Sequence, residues 1–236
     1  MLAAVTPPPC KADVGWSADD TESSARCKCR APNTMKPRIL QREITYTGYL
    51  TIERLRLRLA DGAEAFREVE SHGNAAAVLP YDSERRCALV VRLFRAPVLV
   101  ATGGLISEEA CAGMIELEDA AATARREANE ELGVDLKSLE FVATVWSSPG
   151  VSTERQSLFL APYSPADRSG KGGGAPGEHE GITVVERSLD GLAGDADRGR
   201  IADAKLLTLV LALRLRRPEL FAPLNRANSY EAGVPP

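Results

Sequence analysis

Gly113-Met-Ile-Glu-Leu-Glu118-Asp119-Ala-Ala-Ala-Thr-Ala-Arg-Arg126-Glu127-Ala128-Asn129-Glu130-Glu131-Leu132-Gly133-Val134 is the most informative stretch of this chain. Ala120, Ala121, Ala124, Ala128 and Leu132 recur at helical spacing, which predicts a helix over 119–132 closed by Gly133 at its C-terminus. A stripe of such small side chains lets a helix lie close against a sheet. Glu127, Glu130 and Glu131 stand at i, i+3 and i+4, beside that stripe on one side of the helix. Like charges at this spacing repel by a few tenths of a kcal/mol, on the order of 0.3 per pair. Either solvent and the neighbouring Arg125 and Arg126 relieve that repulsion, as on an ordinary solvated face, or a cation does. Clustered carboxylate oxygens are hard ligands that suit magnesium or manganese better than zinc.

Working outward, residues 39 to about 97 read as a run of strands. Ile44–Ile52 comes first, then Arg54–Leu59 with strict alternation, then Ala75–Leu79, then Ala88–Phe94, mostly buried. Asp61-Gly62 is a hairpin turn signal that pairs Arg54–Leu59 with Phe66–Val69 in antiparallel fashion. Beyond the glutamate helix, strands are expected at Phe141–Trp146, Ser157–Ala161 and Ile182–Glu186, and a long apolar helix at Asp203–Arg216. The run from Ser169 through Gly172-Gly-Gly174 to Gly177 reads as a flexible loop, and no internal repeat is present.

Residues 1–38 are rich in Pro, Ser, Asp, Lys and Arg without a sustained period, the mark of a leader with no fixed structure. Met35 offers an alternative start, which an intact mass from the native source would decide. The 236 residues carry a formal net charge of −4 and 44% hydrophobic residues, which suits one sizeable core and gives no general attraction to nucleic acid or an anionic membrane. No stretch reaches the roughly 20 apolar residues of a membrane span, and no signal peptide is evident, so a cytoplasmic protein is expected. Cys10, Cys27, Cys29, Cys87 and Cys111 lack paired zinc-type spacing and read as reduced thiols, with Cys27-Lys28-Cys29 as a half metal site or redox pair in the alternative.

From Gly113 to Val134 the pattern is G-x4-E-x7-R-E-A-x-E-E-x-G-V. It resembles the signature of the Nudix hydrolases, G-x5-E-x7-R-E-U-x-E-E-x-G-U, where U is a bulky aliphatic residue. The first spacer is one residue short and Ala128 stands where U is expected, but the shortening precedes the helix and leaves its glutamates in register. The resemblance spans about residues 40–217 and is closest to the ADP-ribose and GDP-mannose pyrophosphatase branch, whose GDP-mannose members share the shorter spacer. It extends to Arg92-Leu-Phe-Arg95, Cys111-Ala-Gly113, Ser148–Glu154, the Gly172–Gly174 loop leading to Glu178 and Glu180, and Ile201–Lys205.

This resemblance implies an α/β fold: a Nudix-type α/β/α sandwich with a mixed central sheet over 73–217, a small N-terminal antiparallel β subdomain over 39–72 that dimerises, and a tail over 218–236. It implies Mg2+, or Mn2+, bound by Glu127, Glu131, Glu180 and the main-chain carbonyl of Ala112. Glu130 and Glu131 assist catalysis, and Glu180 orients the attacking water, with Glu178 as the alternative and His179 between them. Arg95, Gly113, Glu154 and Lys205 are expected at the substrate, and Arg126 is expected to pair with Glu118. The implied activity is hydrolysis of a nucleoside diphosphate sugar, GDP-mannose ahead of ADP-ribose, by a homodimer. The competing reading is a Nudix-derived module that senses such a nucleotide without cutting it.

Overall fold

The computed structural model describes residues 36–104, 106–174 and 181–222. Residues 1–35 of the leader, with Cys10, Cys27, Cys29 and Met35, as well as Glu178, His179, Glu180 and the last residues of the tail, lie outside these. Regular structure begins with strands β1 (Arg38–Thr47), β2 (Thr51–Arg58) and β3 (Glu64–Ser71), which form a three-stranded antiparallel sheet in that order. The single strand expected over Ile44–Ile52 is therefore two. Tyr46 pairs with Ile52 and Thr47 with Thr51, so Gly48-Tyr49-Leu50 is the turn of a hairpin, closed by a Gly48 N–H bond to the Leu50 carbonyl. The Asp61-Gly62 turn forms as expected: Gly62 takes φ +87°, and the Asp61 carboxylate accepts from the Ala63 N–H at 3.0 Å.

The larger sheet follows: β4 (Ala75–Asp82), β5 (Cys87–Leu93), helix α1 (Ala96–Thr102), β6 (Ser107–Glu109), β7 (Cys111–Met114), helix α2 (Ala120–Leu132), β8 (Glu140–Trp146), β9 (Arg155–Pro162), β10 (Thr183–Ser188), and helices α3 (Leu189–Asp197) and α4 (Ala204–Arg216). Its path is β10-β5-β4-β9-β8, with β6 on β5 and β7 on β4. β4 runs parallel to β9 and the other pairs are antiparallel, so the sheet is mixed. The strand alternation divides the core. Ala77, Leu79, Ala88, Val90, Leu158 and Leu160 face α3 and α4, while Ala76, Val78, Leu89, Val91, Phe159 and Ala161 face α2. Burial on both faces is why β4 and β5 read as nearly continuous apolar runs. The result is the α/β/α sandwich that the resemblance implied, beside a separate three-stranded sheet.

Helix α2 is capped at both ends. The Asp119 carboxylate accepts from the Ala122 N–H at 2.8 Å, and Gly133 takes the left-handed φ of +65°. Two helices did not stand out in the sequence. α1 buries none of its residues and is set by Pro97 in its first turn and Gly103 in the left-handed region. α3 starts on Ser188, whose hydroxyl accepts from the Gly191 N–H. The fold also extends past α4, because Leu220, in a short 3-10 turn at Pro218–Phe221, packs into the core beside it.

Candidate active site

The glutamates of α2 meet β7 across a gap that only glycine permits. A Cβ on Gly113 would lie 2.6 Å from Cγ of Glu127, with the carboxyl group nearer still, so the missing side chain is the space that Glu127 occupies. Glu131, 5% exposed, accepts the Ala112 N–H at 3.2 Å. In an antiparallel pair the N–H and C=O of one residue point to the same side. The Ala112 carbonyl therefore also turns away from β4, toward the glutamates. Behind them, the Arg126 guanidinium donates to Glu118 at 2.8 Å and to Glu130 at 2.8 Å, and stands 2.9 Å from Glu127. The pairing expected between Arg126 and Glu118 is present. It and the acids on α2 hold the arginine's pKa well above its usual value, against the pull of desolvation. Burial, followed by the Glu131 charge, pushes the Cys111 thiol up and keeps it neutral.

A second wall is cationic. Arg95 ends the stretch after β5, and Glu109 at the end of β6 receives it in a two-point fork, Nε at 3.0 Å and Nη2 at 3.1 Å. Lys205 at the start of α4 donates to the same carboxylate at 3.3 Å and to Asp203 at 2.8 Å. Asp203 in turn caps α4 through the N–H of Leu206 and accepts the N–H of Ala110, each at 3.1 Å. Burial pushes the Glu109 pKa up, but Arg95 and Lys205 outweigh it and leave the group below its ordinary value. For Lys205, burial works against the charge and Asp203 and Glu109 outweigh it, so its pKa is raised. Both shifts describe one ionised pair.

The third wall comes from the N-terminal sheet and the loop before β9. The backbone of Glu70 in β3 exchanges hydrogen bonds with Val151 and Thr153 at 2.8 and 3.0 Å, which ties the small sheet to that loop. His72 bonds Glu70 through Nδ1, and its Nε2 is 3.9 Å from Glu154. Burial raises the Glu70 pKa, and hydrogen bonds from Ser152 and His72 more than reverse it. The Tyr49 ring, at the tip of the β1–β2 turn, stacks beside His72 with centroids 6.1 Å apart.

These walls enclose one cleft of about 580 Å³, lined among others by Arg95, Ala112, Gly113, Glu127, Glu131, Glu154 and Lys205. Seven of the residues singled out in the sequence thus converge from five separate parts of the chain. Glu130 stands behind them, on Arg126. Glu180 lies outside the described residues. The donor types suit a hard cation: the Glu127 and Glu131 carboxylates lie against β7 at Gly113 and Ala112. Among the described residues no three His, Cys, Asp or Glu side chains already converge as metal ligands, and Arg126 instead draws Glu127 and Glu130 to itself.

Sequence reasoning missed Glu109, His72, Tyr49 and the capping role of Asp203. It also misread the glycine loop. Ser169–Gly174 does not hang free: Gly173 and Gly174 donate to the carbonyls of Glu131 and Glu130 at 2.9 and 3.1 Å, and Ser169 donates to that of Gly133 at 2.8 Å. The loop thereby satisfies the open carbonyls at the end of the glutamate helix.

Residues 71–216 match the family model described as the NUDIX domain. The GDP-mannose pyrophosphatase of Cronobacter sakazakii (strain ATCC BAA-894) is 39% identical over 153 residues, 64% of this chain and 78% of that protein. That of Citrobacter koseri (strain ATCC BAA-895 / CDC 4225-83 / SGSC4696) is 35% identical over 147 residues, 61% of this chain and 75% of the relative. A crystal structure of an ADP compounds hydrolase superposes with a TM-score of 0.65 at 18% identity, covering 80% of this chain and 98% of that one. Among the described residues no helix is long and apolar enough to cross a membrane.

Proposed function

This chain belongs to the Nudix family of hydrolases, and from that premise we propose that it cleaves the pyrophosphate of a nucleoside diphosphate sugar, GDP-mannose ahead of ADP-ribose. Water adds across the P–O–P bridge and releases a nucleoside monophosphate and a sugar 1-phosphate. The observation that carries the reading is the single cleft in which Glu127 and Glu131 face the Arg95–Lys205 wall and Glu154. The relatives named for GDP-mannose support the order of substrates.

Arg95 presents a planar guanidinium suited to phosphate oxygens. Glu154 accepts hydroxyl hydrogens of the sugar, and Lys205 adds positive charge at the ligand. Gly113 lets substrate and Glu127 share a narrow space. Glu180 orients the attacking water, and Glu130, which Arg126 steadies, assists with Glu131 in the same acid cluster. Glu127, Glu131, Glu180 and the Ala112 carbonyl would hold a magnesium or manganese ion, which would supply charge neutralisation and a more acidic water. The cleft's own charge argues for such an ion: Glu109, Glu116, Glu127, Glu131 and Glu154 line it against Arg95, Arg126 and Lys205, an excess of acids that a dianionic bridge would not enter unaided.

The same reading makes the protein a cytoplasmic homodimer with no nucleic-acid or membrane partner. Support comes from the small sheet, where β1 is exposed along its whole length, with Ile39, Leu40, Ile44 and Tyr46 facing outward. The test is turnover of GDP-mannose, ADP-ribose, UDP-glucose and a dinucleoside polyphosphate, each with magnesium or manganese and a coupled phosphatase. Glu131→Gln is the control, and light scattering reports the mass in solution. Cleavage of GDP-mannose fastest, lost in the control, is expected. Tight binding without turnover would overturn it in favour of a sensing module.

A further inference from the structure

Glu109 is the most buried carboxylate of the cationic wall, at 6% exposure, and no step of the hydrolysis uses it. An ionised carboxylate placed there costs desolvation that only close, charged partners offset. It has two, from separate elements of the fold: Arg95, 14 residues away, and Lys205, 96 residues away. Glu109 itself sits on a rigid base, because β6 pairs with β5 through Val91↔Glu109 and Arg92↔Glu108. Exposure rises along the network, from 8% for Asp203 and 13% for Lys205 to 41% for the Arg95 side chain. The most exposed member is thus the one with the planar phosphate-binding group.

We propose that Glu109 is a positioning residue for substrate binding. Its carboxylate fork fixes the Arg95 guanidinium and, through the same group, Lys205, so that the wall facing the pyrophosphate is in place before substrate arrives. The proposal rests on the hydrolase reading above. A fixed wall lowers the ordering cost of binding and does not touch the reacting atoms, so it acts on KM more than on kcat.

The experiment is steady-state kinetics on GDP-mannose for the full chain and its Glu109→Gln, Glu109→Asp, Arg95→Ala and Glu109→Gln/Arg95→Ala variants, with melting curves alongside. Glu109→Gln is expected to raise KM about tenfold with kcat within about threefold, in line with losses on removing a supporting side chain. Glu109→Asp keeps the charge but not the reach for both fork contacts, and falls between. The double variant is expected to raise KM by less than the product of the two single effects, because Glu109 acts in part through Arg95 and only the part carried by Lys205 is left to lose. A folded Glu109→Gln with KM within twofold of the parent overturns the proposal, as does an additive double variant. If Glu109→Gln does not fold, unchanged KM in Glu109→Asp overturns it equally. An unsubstituted chain inert on every sugar nucleotide refutes the hydrolase reading first and this proposal with it.

Discussion

Gly113→Ala should disable the site while leaving the fold intact. The new Cβ would stand 2.6 Å from Cγ of Glu127 and closer to its carboxyl group. Carbon atoms in contact sit at about 3.5–4.0 Å, so Cγ must retreat by about 1 Å and the carboxylate by more. A move of that size means another rotamer for Glu127, not a small adjustment. Overpacking costs about 1–3 kcal/mol, but glycine in a strand is itself worse than alanine by about 0.5–1 kcal/mol, and the obstructing group is a side chain beside an open cleft. Gly113 is not among the residues with positive φ, so alanine meets no backbone strain. The net change in Tm should stay within about 4 °C. Activity is another matter, because a misplacement of about 1 Å in the catalytic assembly costs on the order of 100-fold. The assay is kcat/KM on the sugar nucleotide, with Glu127→Gln and the double variant in parallel. Since both changes remove the same carboxylate, the double variant should be no worse than Glu127→Gln. Activity of Gly113→Ala within threefold of the parent, or losses that add in the double variant, would refute the reasoning.

Gly172→Ala should act on stability instead: its φ is +69°, and a Cβ would lie 2.7 Å from the backbone carbon of Leu132, so the loop must leave the end of α2. A loss of about 2–3 kcal/mol, or about 4–12 °C in Tm, is expected, and an unchanged melting curve would be contrary to it. Asp203→Ala removes the cap of α4 and strands the buried Ala110 N–H, for about 2–4 kcal/mol by urea unfolding, whereas Asp203→Asn should recover most of it through its amide oxygen. The Glu109–Lys205 pair fixes a pH window. Glu109 has its folded pKa below the ordinary 4.5, so its contribution is complete above about 4.5 and fades as the pH falls through the folded value. Lys205 has its pKa raised above 10.5, so its contribution is complete below that and fades as the pH climbs through the folded value. The stability gap between the parent and Glu109→Gln should therefore be level from about pH 5 to 10 and narrow under acid. A gap that widens below pH 4.5 would reverse the assignment.

The elements that could be read directly were those whose local chemistry and packing agree. α2 carries its own stop and start signals, and its alanine stripe is the face that packs on the sheet: Ala124, Ala128 and Leu132 are fully buried there. The β1–β2 hairpin failed for the opposite reason. Thr47 and Thr51 flank the turn with β-branched side chains that favour continuing the strand, and only Gly48 marks the reversal. Missing that turn also hid Tyr49, because only a hairpin tip brings a residue so early in the chain to the cleft beside His72. The glycine loop misled differently. Glycine permits free movement, but it equally permits the close approach by which Gly172 lies against Glu131 and Leu132.

Glu108 and Glu109 show where sequence reasoning stops and what it would need. Two adjacent glutamates in a strand must point to opposite faces, so at most one can enter the cleft. Composition and period cannot choose between them. The choice follows from register: Glu108 pairs with Arg92, a position of β5 that faces outward, and meets Arg187 of β10 there. Glu109 pairs with Val91, whose side chain belongs to the core facing α2, and so is turned inward to Arg95 and Lys205. Arg92 is the readable end of this chain of reasoning, as an arginine inside an otherwise apolar strand. It fixes which parity of β5 meets solvent, and through one strand pair it fixes which of two identical residues serves the site.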